Sequence, residues 1–403
     1  DAYVSQEVTM KDVITHRAGV GLGQGGVMFF PEGGNLTVND IIHNVRYLKP
    51  KNSYRNTLDY NNIMFIVAGE VIHRVSGLTW AEFIEQKIMQ PVGMTSSYGS
   101  YNRAKAANVD NIIDAHAPVD GKVVAVPHDW NETGNAAGGI ISNIKDMNIW
   151  AEFLMNGFTT KDGKKLVTDK QIFQLWNLQI ATPVALKNPY DSNFNGYGLG
   201  WFLTDVKGHK QVYHTGGLIG TVTQFTLIPD MKLGIVVLTN QQSGAAFSVI
   251  TNTIKDAYLG LEDRNWLKNF SERMAKVNAK YDKEKLDVFT KSEAFKKEKK
   301  SQIKSEQITG TYTDLWFGDV TIALEGKTLR LSCVNSPRLK GELIPYSPNV
   351  MVIKWDDRSY DADAFVNFQM DENGKAQGMK LKPISGVTDF SFDFEDLDLL
   401  KKK

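Results

Sequence analysis

Tyr213-His-Thr-Gly-Gly-Leu-Ile-Gly-Thr-Val-Thr-Gln-Phe-Thr-Leu-Ile-Pro-Asp-Met-Lys-Leu-Gly-Ile-Val-Val-Leu-Thr239 is the stretch that decides the fold. Two β-rich runs, Thr221 to Ile228 and Lys232 to Thr239, flank the short polar turn at Pro229-Asp230, so the segment reads as an antiparallel hairpin. Ile235-Val236-Val237-Leu238 is continuously apolar, which predicts a strand covered on both faces. A helical segment from about Phe247 to Leu259 follows and can close the sheet from one side. Ahead of the hairpin, His214 and Thr215 stand on a strand edge followed by Gly216 and Gly217. Two glycines leave the backbone open to whatever lies beside it, and an N–H presented there can serve as an oxyanion donor. The plainer alternative for the same residues is a turn bearing a surface histidine.

Upstream, Ile63, Val67, Val71 and Val75 recur every four residues and predict one apolar helix face. Gly77 follows as a C-terminal cap, and Thr79-Trp80-Ala81-Glu82 has the form of a capping box opening the next helix, which should end before Pro91. Asn62 therefore opens a buried helix, with Tyr60 in the turn before it. A phenol in the positive field of a helix N-terminus is expected to have its pKa lowered and could act as a base toward a serine hydroxyl. Asn62 could both donate and accept hydrogen bonds to a substrate amide. The structural alternative for Tyr60 is a packed aromatic with a satisfied hydroxyl.

Composition narrows the function classes. Hydrophobic residues make up 42% and charged residues 23%, which fits a globular protein and argues against disorder. Lys+Arg and Asp+Glu are both 46, so no global field favours nucleic acid or an anionic membrane as partner. Cys333 is the one cysteine; no intramolecular disulfide can form, and its neighbours Leu331, Ser332 and Val334 offer no base to activate it. No run reaches the roughly 18 apolar residues that span a bilayer. The seven histidines are scattered without His-Glu-x-x-His or a cysteine cluster, so no metal is expected. Neither nucleotide-binding glycine motif is present, so no cofactor is expected, and there is no Gly-x-Ser-x-Gly elbow.

Three regions differ in texture. Residues 1–262 mix helical periodicity, glycine-rich turns and strands. Residues 263–302 are dense in charge with no Gly or Pro and read as a helical connector or flexible linker. Residues 303–397 hold at least five short alternating runs, with turns at Glu325-Gly326 and Asn373-Gly374, and read as a small all-β barrel or sandwich whose core takes Trp316 and Trp355. Asn35-Leu-Thr37 and Asn131-Glu-Thr133 match the glycosylation pattern weakly.

Tyr60-Asn61-Asn62 and His214-Thr215-Gly216 together resemble the second and third motifs of the serine β-lactamase and penicillin-binding-protein superfamily, whose order is Ser-x-x-Lys, Tyr-x-Asn, then Lys-Thr-Gly or His-x-Gly. The intervening text is similar too, in Thr9 to Gly19, Tyr60 to Gly77, Pro91-Val-Gly-Met-Thr-Ser96, Ala137-Gly-Gly-Ile-Ile-Ser142 and Gly196-Tyr-Gly-Leu-Gly-Trp201. The resemblance covers about residues 1–260. Residues 303–397 look like the lipocalin-like barrel appended to some members. The fold implied is an α/β (α+β) sandwich of antiparallel sheet and helices, followed by the connector and the barrel.

What the resemblance implies can be assigned residue by residue. Tyr60 would be the base partner and proton shuttle, and Asn62 would position the substrate. His214 would lie near the substrate's anionic or carbonyl group, with Thr215 and Gly216 beside it, and Gly217 would supply one oxyanion N–H. The expected activity is acyl transfer to water from a small-molecule or peptide substrate: an amide, β-lactam or ester. The expected setting is bacterial, periplasmic or secreted. One motif departs from the pattern. Ser-x-x-Lys should lie upstream of Thr9, and the chain opens at Asp1 without Met, so its beginning looks cut. Ser142-Asn-Ile-Lys145 and Ser301-Gln-Ile-Lys304 fit the bare spacing, but neither stands at the family's position. The 403 residues alone are therefore expected to be inactive, with an unpaired sheet edge that invites pairing with another chain. The rival reading is a non-catalytic binding protein for peptides or cell-wall fragments on the same fold.

Overall fold

The structure, a computed structural model, describes residues 2–130, 132–298 and 303–402. Asn131 and Ser301, each named above in a short motif, lie outside the described residues. The chain divides into two compact units. One comprises Asp1–Gly21, Pro50–Ala117 and Val123–Ser271, the other Leu22–Lys49, Pro118–Lys122 and Glu272–Lys403.

The first unit is the expected sandwich of antiparallel sheet and helices. A hairpin of β1 (Ala115–Val119) and β2 (Lys122–Val126) precedes the main sheet. That sheet runs in sequence order through β3 (Ile180–Ala181), β4 (Asn195–Tyr197), β5 (Phe202–Val206), β6 (His209–Leu218), β7 (Thr221–Ile228) and β8 (Leu233–Leu238). The β7–β8 hairpin forms where Pro229-Asp230 predicts it, and Lys232 closes the turn at φ 51°. One face of β7 and β8 carries Ile228, Leu233, Ile235 and Val237 against Phe247 and Ile254 of the Gly244–Tyr258 helix. Phe225 and Leu227 point the other way and join Leu203, Val212, Ala151 and Leu154, the last two from the Ile144–Met155 helix. Each of these Leu, Ile, Val or Phe side chains taken fully out of water contributes about 1.5–3 kcal/mol.

Two periodicity readings need correction. β8 is not covered on both faces: burial alternates along it, and Leu238 is 40% exposed. Its continuous apolar run reflects a second face that borders a cavity. In the Asn62–Ser76 helix the predicted stripe begins at buried Ile63 but ends at Val75, 83% exposed. Steps of four residues turn about 400° at 3.6 residues per turn, so a strict four-residue stripe drifts off the buried side. The buried face is Ile63, Met64, Ile66 and Gly69. The caps form as expected: Gly77 takes φ 73°, and Thr79 and Glu82 close their box.

The charged segment is helical from Trp266 to Phe295, with only Ser292 and Phe295 buried among its described residues. In the second unit, β9 (Gly310–Asp314) through β16 (Leu399–Lys401) close an eight-stranded antiparallel barrel in which β16 pairs with β9. Lys340–Ser347, Ala376–Pro383 and Leu399–Lys401 are strands beyond the five legible in the sequence. Trp316 and Trp355 are buried in this unit as expected, with Trp355 Nε1 donating to the Ala362 carbonyl at 2.8 Å. Leu22–Lys49 belongs to the same unit through hydrogen bonds distant in sequence. Gly25 and Val27 donate their N–H groups to the Asp393 carboxylate, and Asn44 Nδ2 donates to the Trp316 carbonyl at 2.7 Å. Gly23, at φ 66°, permits this approach, because a Cβ there would sit 2.2 Å from the Phe390 carbonyl oxygen.

Candidate active site

The site is built on a buried ion pair. Thr9 caps the short Met10–Ile14 helix in a box with Asp12, whose carboxylate is fully buried. Arg55 binds it bidentately at 2.8 Å through Nε and through Nη2, Tyr54 donates its hydroxyl at 3.0 Å, and Arg17 Nε approaches to 3.0 Å. Burial alone would raise the Asp12 pKa, but the hydrogen bonds from Arg55, Thr9 and Tyr54 outweigh it and hold the carboxyl well below the usual carboxylate range. The cluster ties residues 9–17 to residues 54–55, and the Asp59 N–H then donates to the His16 carbonyl at 2.8 Å.

His16 is consequently delivered, at φ 54°, beneath the start of the Asn62–Ser76 helix. Asn61 is the buried N-cap: its Oδ1 accepts from the Ile63 N–H at 2.9 Å and its Nδ2 donates to the Gly21 carbonyl at 3.0 Å. Its own N–H donates to His16 Nδ1 at 3.1 Å, which leaves the ring hydrogen of a neutral His16 on Nε2. That nitrogen is buried with no hydrogen-bond partner among the described residues. Burial, and then the nearby His214, push the His16 pKa down to about 3.

Tyr60 lies over this ring, with centroids 4.3 Å apart. Burial pushes its hydroxyl up to about 12, so the expectation of a lowered pKa from the helix N-terminus is overturned. Desolvation of a phenolate outweighs the helix dipole, whose effect fades within a turn. Asn62 is the first helical residue and half-buried. The His214 ring centroid is 6.0 Å from that of Tyr60, and both pack on Phe202.

β6 positions the remaining residues. Up to Tyr213 it is flanked by β5 and β7; beyond Tyr213 only β7 pairs with it, His214 opposite Phe225 and Gly216 opposite Thr223. The chain before β5 turns away through Gly198 and Gly200, which leaves one edge of residues 214–218 without a strand partner. Thr215, Gly216 and Gly217 are exposed there, and a Cβ at Gly217 would meet nothing within 4 Å. A cavity of about 300 Å³ opens beside them. Its walls include Trp80, Gly138, Gly139, Thr223, Val236 and Leu238, with His214, Thr215 and Gly216 along one side, and none of its lining residues is Lys, Arg, Asp or Glu. Tyr60 and Asn62 are not among those lining residues.

Tyr197 was not legible as a site residue. It is fully buried, its hydroxyl lies 3.1 Å from His214 Nε2, and its ring packs on His16 and Phe202. The only sequence signal for Tyr197 or His16 is that both sit inside segments that carry the resemblance. Ser142 is engaged elsewhere. Its Oγ shares a hydrogen bond with Ser97 Oγ at 2.7 Å, and Ser97 donates to buried Asp146 at 2.8 Å. Cys333 is buried in the second unit, and burial pushes its thiol far up, as an inert structural thiol requires. No cluster of metal-ligating side chains occurs among the described residues.

Comparison with known proteins agrees with this architecture. Residues 1–258 match the family described as Beta-lactamase, and residues 296–401 match one described as Domain of unknown function (DUF3471). An unguisins hydrolase of Aspergillus campestris is 27% identical over 244 residues, 59% of this chain and 43% of that protein. The D-alanyl-D-alanine-carboxypeptidase/endopeptidase AmpH of Escherichia coli is 20% identical over 200 residues, 49% of either chain. The chain thus spans about half the length of these relatives. Among solved structures, the octameric penicillin-binding protein homologue from Pyrococcus abyssi superposes with a TM-score of 0.55 at 18% identity, covering 99% of this chain and 81% of that one. That likeness concerns the fold.

Proposed function

This chain belongs to the β-lactamase family, and from that premise we propose that it is part of a serine hydrolase acting through an acyl-enzyme on an amide, β-lactam or ester. The observation that carries the reading is the meeting of Tyr60 and His214: residues 154 positions apart in sequence stand with ring centroids 6.0 Å apart, next to a strand edge free to receive a substrate backbone. In this reading Tyr60, neutral at rest, shuttles the proton between nucleophile and leaving group. Asn62 positions the substrate amide, and the Gly217 N–H is one of two oxyanion donors. Ser142 is not assigned as the nucleophile, since its Oγ is bonded into the Ser97–Asp146 network. The substrate is a small molecule or peptide, and the protein works in the periplasm or outside the cell. The open edge of β8 is where a strand from another chain would add to the sheet.

A fluorophosphonate or fluorescent penicillin, applied to this 403-residue chain and to a version extended upstream with a Ser-x-x-Lys segment, tests the assignment. Labelling of the extended version alone is expected. A label mapped by mass spectrometry to Ser142 or Ser301 would make one of those serines the nucleophile and overturn it. The second reading, a non-catalytic binding protein, draws on the raised Tyr60 pKa, and it gains the ground if neither protein is labelled while the cleft still binds a D-amino-acid peptide.

A further inference from the structure

The excursion of the chain through Leu22–Lys49 leaves the first unit after Gly21 and re-enters it at Pro50. Its stem is closed on both sides of that junction. The Lys51 N–H donates to the Gly19 carbonyl at 3.2 Å, and Gln24 Nε2 donates to the Lys49 carbonyl at 3.0 Å. Beyond the stem, this strap is seated on three parts of the second unit. Gly25 and Val27 donate to the two oxygens of the Asp393 carboxyl, and Phe30 packs on Phe392 with ring centroids 5.1 Å apart. Asn35 donates its N–H to the Asn335 carbonyl at 2.9 Å and its Nδ2 to the Val334 carbonyl at 2.8 Å. Asn44 Nδ2 holds the Trp316 carbonyl. A Cβ at Gly26 would stand 2.6 Å from the Ser391 carbonyl oxygen, so the strap lies directly against that backbone.

The same stem supports the turn that carries Tyr60. The Gly21 carbonyl accepts from Asn61 Nδ2 at 3.0 Å, which fixes the amide so that its Oδ1 caps the Ile63 N–H at 2.9 Å. Asn61 lies between Tyr60 and Asn62 and is 1% exposed, so a partner lost there is not made good by water. Only Leu22 separates Gly21 from Gly23, which lies against Phe390, and two residues of chain span at most about 7 Å. A displacement of the seat at 390–393 is therefore passed to the Gly21 carbonyl rather than taken up as slack. We propose that Asp393 is a positioning residue for Tyr60 and Asn62: it anchors the strap, the strap fixes the Gly21 carbonyl, and that carbonyl sets the Asn61 cap. The second unit then controls the order of this helix start through the chain itself, without contributing a catalytic group. The coupling goes beyond the acyl-enzyme reading and holds equally for a binding cleft.

Hydrogen–deuterium exchange of the 403-residue chain, read by mass spectrometry, tests it. Asp393→Ala removes both acceptors of Gly25 and Val27. Exchange is expected to rise at residues 23–30 and, with it, by about fivefold at residues 58–66, the change that follows loss of a helix N-cap. Strands β5 to β8 should keep their protection. Arg330→Ala, which removes a barrel-surface pair with Asp356, should alter neither segment. A merely structural Asp393 would loosen the strap and leave 58–66 as it was, and that result overturns the proposal. Unchanged exchange at 23–30 overturns it too, as does an equal rise at 58–66 in Arg330→Ala. Where Asp393→Ala unfolds the whole chain, Asn44→Ala, which removes a single bond to the Trp316 carbonyl, is read in the same way. A joint rise in the strap and at 58–66 supports the coupling, and a rise in the strap alone refutes it.

Discussion

Acidification should destabilise the first unit through His16, by an amount that the structure lets one work out. The ring is 1% exposed, and its Nε2 has no hydrogen-bond partner among the described residues, so a proton there creates a buried, unpaired charge. Its pKa falls from 6.5 to about 3 on folding. The unfolded chain therefore binds the proton more tightly. Stability is fully present above the unfolded value of 6.5 and is lost as the pH falls from there toward about 3. At 1.36 kcal/mol per unit, moving from about pH 7.5 to about pH 4.5 crosses roughly two effective units and removes about 2.7 kcal/mol. Asp12 is silent in this window, because its depressed pKa costs stability only below the ordinary 3.8. His16→Asn isolates the effect. Asn carries an acceptor at the same δ position to receive the Asn61 N–H, tolerates φ 54°, and cannot titrate. It loses the ring contacts with Tyr60, Phe65 and Tyr197, so it should be less stable at neutral pH. Urea unfolding followed by tryptophan fluorescence at both pH values measures the difference. The wild type should lose about 2.7 kcal/mol more than the variant. Parallel pH dependence in the two proteins would refute the assignment of the acid sensitivity to His16.

Two further expectations concern the scaffold. Asp12→Asn leaves Arg55 and Arg17 beside a neutral group at a fully buried position, and thermal or urea unfolding should show a loss of about 3–5 kcal/mol; an unchanged midpoint would mean that the pair is not holding residues 9–17 in place. Gly69→Ala puts a Cβ 2.5 Å from the Ala136 Cβ, where the Asn62–Ser76 helix meets the Asn135–Gly138 turn of helix, and it should cost about 1–3 kcal/mol, while wild-type stability would show that the two elements separate without strain.

The elements read most directly from the sequence are those whose determinants lie within a few residues. The Thr79–Glu82 box, the Gly77 cap and the β7–β8 turn each depend on contacts between positions up to five apart, and all form. The order of the Tyr60-Asn61-Asn62 and His214-Thr215-Gly216 motifs pointed to the family for the same reason: a motif is a local pattern. Three local arguments misled. A continuous apolar run was expected to mark β8 as covered on both faces, a four-residue stripe placed Val75 on the buried side, and a helix N-terminus was expected to acidify Tyr60. Each treated a local pattern as decisive where the tertiary surroundings set which side is buried.

What the sequence by itself determined is therefore the helix opening at Asn62 with its caps, the β7–β8 hairpin and the helix after it, five of the alternating runs of the tail and the candidate motifs. Only the tertiary structure decided that Leu22–Lys49 joins the barrel's unit, where Gly25 and Val27 meet Asp393. It also decided that His16 and Tyr197, unremarkable in the sequence, enclose Tyr60 and His214. The bonds involved join positions tens to hundreds of residues apart. Whether a buried nitrogen has a partner, or a phenol an acceptor, depends on which side chains the fold brings to within about 3 Å, and no local spacing encodes that.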